Sequence, residues 1–87
     1  MKEVNKMIEE MKEMFIPMYV KAVRERNDSD FDPKKMKVVD TTIPNKIMKL
    51  AKTYSKQLML EGMIVSFWDL YTPVYNACVD ESNRVNY

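Results

Sequence analysis

The chain has no histidine, one glycine and one cysteine among its 87 residues. Without histidine there is no Ser-His or Cys-His nucleophile pair, no imidazole metal ligand and no ordinary general base near neutral pH. Cys78 has no partner for an internal disulfide, and no charged-then-apolar leader opens the chain, so a reducing, cytoplasmic setting is expected. One glycine cannot furnish the repeated tight reversals of a β-sandwich or barrel, nor a glycine-rich loop around phosphates. Long hydrophobic runs are also missing. The densest stretch, residues 58–68, holds eight apolar side chains in eleven positions, short of the roughly 18–20 that cross a bilayer. Membrane insertion, cofactor binding, small-molecule turnover and enzymatic activity are therefore not expected.

What is present is a folding composition, 46% hydrophobic and 31% charged, which belongs to an ordered protein rather than a disordered one. The expectation is a single domain over residues 1–87, mainly all-α, as a small bundle of three or four helices. A chain this short buries only about 60–65% of its unfolded surface, so added burial against a partner or a second copy is valuable.

Val4, Met7, Ile8, Met11, Met14, Phe15, Met18 and Ala22 recur at helical spacing and predict a first helix over Val4–Arg26. Met7, Met11 and Met14 read as core fillers. Pro17 lacks an amide hydrogen and should bend this helix. Asn27 to Asp32 is a polar break, after which Asp32 and Pro33 have the chemistry of a helix start. Val38, Val39, Thr41 and Thr42 are β-branched, which predicts a short extended segment near 36–42. A second helix is expected over Pro44–Glu61, capped by Thr42 or Asp40 and closed by Gly62. Ser66 followed by Asp69 resembles a capping box and starts a third helix, Ser66–Asn83, with a possible split at Pro73. Val74, Ala77, Cys78 and Val85 should face inward on it, while Asn86 and Tyr87 should fray.

Two motifs with chemical potential fall short. Asp28, Asp30 and Asp32 match the first three liganding positions of a helix-loop-helix calcium loop. The required glycine is then Pro33, and the bidentate glutamate is Val39. Cys78 sits on the apolar side of its helix beside Asp80 and Glu81, which suits a buried thiol rather than a nucleophile.

The net charge of +1 hides segregation. Residues 1–32 carry six basic and eight acidic groups, residues 33–60 carry seven and one, and residues 61–87 carry one and four. Rotating each residue about 100° from the last places Lys46, Lys49, Lys52 and Lys56 on one face of the second helix, opposite Ile47, Leu50, Ala51, Tyr54 and Leu58. Beyond Leu58 apolar residues occupy the formerly basic side as well. Met59, Met63, Phe67 and Trp68 then form a candidate interface, because aromatics beside methionine are common anchors of protein contacts. The expected function is non-enzymatic: a protein-binding regulator, adaptor or inhibitor. Its partner would be another protein or a second copy in a homodimer, engaged through these four lysines and the adjoining patch. Short host-takeover and anti-defence proteins of viruses are similar in type.

An alternative comes from the run Met36-Lys37-Val38-Val39-Asp40-Thr41-Thr42-Ile43-Pro44 before a helix, which resembles a ribbon-helix-helix repressor. The resemblance covers at most residues 36–83. It implies a dimeric DNA-binding regulator whose paired strands enter the major groove. The expected glycine turn is missing, the first helix has no role in that fold, and the lysine helix has no arginine to read bases, so this reading ranks second.

Overall fold

A computed structural model describes residues 2–86. Its helices are α1 (Lys2–Asp28), α2 (Pro33–Lys37), α3 (Ile43–Leu60) and α4 (Phe67–Asn86), with a π-helical turn over Val38–Thr42 joining α2 to α3. No strand forms among the described residues. The all-α bundle is as expected; the extended segment near 36–42 is not. Because α2, the π-helical turn and α3 follow one another without a break, the molecule is built from three long helical rods.

Residues 38–42 coil because burial outweighs local preference. Each β-branched residue costs a helix at most about 0.7 kcal/mol relative to alanine. Burying an aliphatic side chain contributes about 1.5–3 kcal/mol, and Val39 and Ile43 are both buried. The wide turn also has a local cause. Ile43 N–H donates to the Val38 carbonyl, five residues back, and the next residue is Pro44, whose ring would collide with the Asp40 carbonyl in a regular α-turn.

The helix ends follow side-chain chemistry in three places. The Asp32 carboxylate accepts from Lys34 N–H at 3.0 Å, with Pro33 in the first turn, as the sequence predicts. Ser66 Oγ accepts from Trp68 N–H at 3.2 Å at the start of α4. After Leu60, Gly62 adopts φ +87°, Gly62 N–H donates to Met59 O at 3.0 Å and Met63 N–H to Leu58 O at 2.8 Å. That pair of bonds is a Schellman closure, which favours glycine at its left-handed residue. Thr42 makes no side-chain cap. The chain arrives there already helical, so no free helix end exists for Thr42 or Asp40 to satisfy.

Neither internal proline breaks its helix. Pro17 lies within α1 and Pro73 within α4, so the split at Pro73 does not occur. Pro17 and Glu13 are both exposed; the Glu13 carbonyl deprived of its amide donor is thus on the solvent side, where water replaces the bond. Leu70 and Val74 are fully buried on either side of Pro73, and α4 continues through it.

Cross-helix pairs give the relative directions. The Tyr19 ring meets Tyr75, and Arg24 Nε donates to Asn86 Oδ1 at 3.4 Å. Residue numbers rise together, so α1 and α4 run parallel and pack directly on each other; the rod from Pro33 to Leu60 runs back alongside them. Val4, Met11, Phe15, Tyr19, Ala22 and Val23 of α1 meet Ile47, Ala51 and Leu58 of α3 and Leu70, Val74 and Cys78 of α4 in one core. The Cα envelope is 49 × 22 × 15 Å with a radius of gyration of 14.2 Å, against about 12 Å for a compact chain of this length. The core is long and thin.

Several inward assignments reverse. Met14, Met18 and Val85 are exposed, whereas Met11 is buried and Met7 packs against the core. Asn86 is not frayed: its Nδ2 donates to Ser82 Oγ at 3.2 Å and to Val20 O at 3.5 Å, satisfying the buried Ser82 hydroxyl. Tyr87 lies outside the described residues.

Ile47→Ala removes a wholly enclosed side chain and should lower unfolding free energy by about 2–5 kcal/mol in urea titration. Ile64→Ala, at an exposed site, should change it by less than about 0.5 kcal/mol. Comparable losses for both would contradict this core.

Candidate functional site

Lys46, Lys49, Lys52 and Lys56 are all exposed along α3, opposite the buried Ile47, Ala51 and Leu58. Leu50 and Tyr54 lean against the core from the flanks. None of the four lysines joins an ion pair among the described residues. Lys52 Nζ instead sits 5.2 Å from the centroid of the Phe67 ring, a cation-π contact that ties the basic row to the start of α4.

The apolar end is assembled by the closure of α3. Leu58 and Val65 are buried on either side of the Gly62 turn, and Ser55 Oγ donates to Val65 O to pin the returning chain. With those two side chains directed inward, the residues between them point out. Leu60 is 82% exposed and Ile64 94%, with Met59 at 62% and Trp68 at 52%. Met63 and Phe67 are half-buried and form the floor of the patch, packed against the core. Helix does not continue apolar all round, as the periodicity beyond Leu58 suggests; it stops at Leu60.

Leu60 and Ile64 are therefore exposed members of this surface that the candidate interface of Met59, Met63, Phe67 and Trp68 leaves out, although helical spacing places Leu60 on the formerly basic side. Leu60 stands one turn beyond Lys56 on the lysine face, a signal open to the eye in the sequence. Ile64 falls in the connection, where helical spacing carries no information.

An aromatic row supports the patch. Trp68 stands 4.9 Å from Phe67 and 5.6 Å edge-on from Tyr71, which stacks on Tyr75 at 5.6 Å with 10° between planes. Tyr75 in turn meets Tyr19 edge-on at 6.1 Å. These contacts hold the indole from its inner side, leaving about half of it exposed. Burial, reinforced by Tyr75, pushes the Tyr19 hydroxyl up to about 12; burial also raises Tyr71. Both phenols stay neutral in ordinary conditions.

Burial pushes the fully enclosed Cys78 thiol up to about 11, the opposite of an activated nucleophile. The Glu81 carboxylate is held below its usual range by hydrogen bonds from Arg84 on the outer side of α4, so it is a paired surface charge. No group of three or more potential metal-ligating residues occurs among the described residues. No described helix is long and apolar enough to cross a membrane.

The raised thiol has a pH consequence. Its folded value, about 11, lies above the ordinary 9.0, so the stability it contributes is complete below pH 9 and is lost as pH climbs through about 11. The urea midpoint should fall across that window, and Cys78→Ala should flatten the fall, leaving the part due to Tyr19. A midpoint independent of pH from 8 to 11 would contradict the burial of both groups. Comparison with protein-family models, curated proteins and solved structures finds no match to this chain, and the functional reading rests on this surface alone.

Proposed function

We propose that this protein is a non-enzymatic binding module, a regulator, adaptor or inhibitor that acts by docking on another protein. The observation that supports it is the cluster of Leu60, Ile64, Met59 and Trp68 on one end of the bundle, beside a row of lysines. Contiguous exposed apolar surface on a small protein marks a contact site, and methionine with an aromatic anchor is typical of one. The lysines attract an acidic surface and orient it; the apolar end then seals against it.

Magnitudes place this contact in a moderate range. Four side chains newly buried contribute about 2 kcal/mol each. Association itself costs about 4–15 kcal/mol. The apolar end alone therefore does little more than offset that cost, and the lysine row decides which partner is held. Short host-takeover and anti-defence proteins of viruses are similar in type, an analogy of class and not of structure. The DNA-binding alternative loses its main motivation, because residues 36–42 are helical and no ribbon is available to enter a groove.

A photo-crosslinking residue placed at Ile64 should trap one discrete heavier species in cells, and the same residue at the exposed Asn76 should not. Lys52→Glu with Lys56→Glu should reduce that product several-fold while leaving the helical spectrum intact. Equal trapping at both positions, or indifference to the charge reversal, would rule this reading out.

A further inference from the structure

A second surface lies at the opposite end of the bundle. The loop between α1 and α2 carries Phe31, 82% exposed although it is a large aromatic. The loop is not slack. Ser29 Oγ donates to Glu25 O at 2.8 Å and accepts from Lys35 Nζ at 2.7 Å, while Asp32 caps α2. Phe31 is thus presented from an ordered support, flanked by Asp28, Asp30 and Asp32.

Nearby, α1 and the start of α3 leave an open groove of about 220 Å³. Met18, Ala22, Val38 and Ile43 make its apolar floor, with Thr42 beside them; Lys21, Lys46 and Glu25 are charged groups on its margin. Met18 and Val38 remain over a third exposed there. A cavity of about 150 Å³ is enough for a benzene, so the groove has room for one phenyl ring. Its margin is net positive and the loop is strongly negative.

We propose that Phe31 of one copy of this chain occupies the Met18–Val38 groove of a second copy, and that the exchange is reciprocal. Knob and groove lie at the same end of the molecule, so one two-fold axis satisfies both contacts at once. Asp28 and Asp30 of each loop then face Lys21 and Lys46 of the other copy, outweighing the repulsion from Glu25. The apolar end with Leu60 and Ile64 lies about 20 Å further along α3 and stays free. The resulting dimer carries two outward docking ends. It is independent of the function proposed above.

Charge exchange tests this directly. One variant carries Lys21→Glu and Lys46→Glu, a second carries Asp28→Lys and Asp30→Lys; all four sites are exposed, and circular dichroism checks that both remain helical. In sedimentation equilibrium the unaltered chain should dimerise with concentration, and each variant alone should associate at least about tenfold more weakly. Their equimolar mixture should recover a one-to-one heterodimer, because both exchanged contacts become complementary. Phe31→Ala should abolish dimers, and Ile64→Ala should leave them unchanged. A chain monomeric throughout the concentration range, a mixture no stronger than its components, or dimers lost with Ile64→Ala and kept with Phe31→Ala would each overturn the proposal. The last of these would assign self-association to the other end.

Discussion

The closure of α3 at Gly62 is the constraint on which the exposed apolar end depends. A glycine at φ +87° lets the chain reverse with Met63 bonded back to Leu58, and that bond leaves little freedom in where the next residues point. Leu58 and Val65 go in; Leu60 and Ile64 go out. An L-residue with a side chain in this left-handed conformation would pay about 1–2 kcal/mol, though a Cβ at Gly62 meets nothing within 4 Å. The demand for glycine is conformational, not steric. It converts a locally apolar stretch into a divided one, with half of its side chains in the core and half on display.

The thinness of the bundle explains why the display is not absorbed. Three rods around one axis give a core one or two side chains across, and a Cα envelope of 49 × 22 × 15 Å leaves the ends without cover. At the α1–α2 end the chain meets this with an Asp32 cap and the Arg26–Asp40 ion pair at 4.0 Å. At the other end it has the aromatic row instead, from Tyr19 through Tyr75 and Tyr71 to Trp68. Rigid support beneath an exposed indole reduces the ordering cost of any contact made there. Lysine 52 over Phe67 links that support to the basic face.

Local chemistry was legible in the sequence wherever it acted alone. Asp32 with Pro33, Ser66 before α4 and Gly62 after α3 each state a helix end through a hydrogen bond or a backbone angle, and each sits where expected. The opposed faces of α3 were also legible, since Ile47 and Ala51 are buried and the four lysines exposed. Residues 36–42 were misread because β-branching is a weak preference, and the burial of Val39 and Ile43 that overrides it is a long-range event. Met14, Met18 and Val85 turn outward for a related reason: periodicity marks an apolar stripe but not how much of its width three thin rods can cover. Ile64 was invisible because its direction is set by the Gly62 turn and by Ser55 holding Val65, contacts that exist only once the chain has folded back. Asn86 is ordered by Val20 and Arg24, more than sixty positions away.

The most direct measurement is solvent paramagnetic relaxation of side-chain methyl groups, recorded by NMR with a neutral soluble gadolinium chelate. The account requires strong broadening of the Met59, Leu60 and Ile64 methyls, together with sharp, protected signals from Leu58, Val65 and Leu70. Protection of Leu60 and Ile64 in the isolated protein, at a level matching Leu58, would mean that the chain covers its own apolar end, and the docking account would fail.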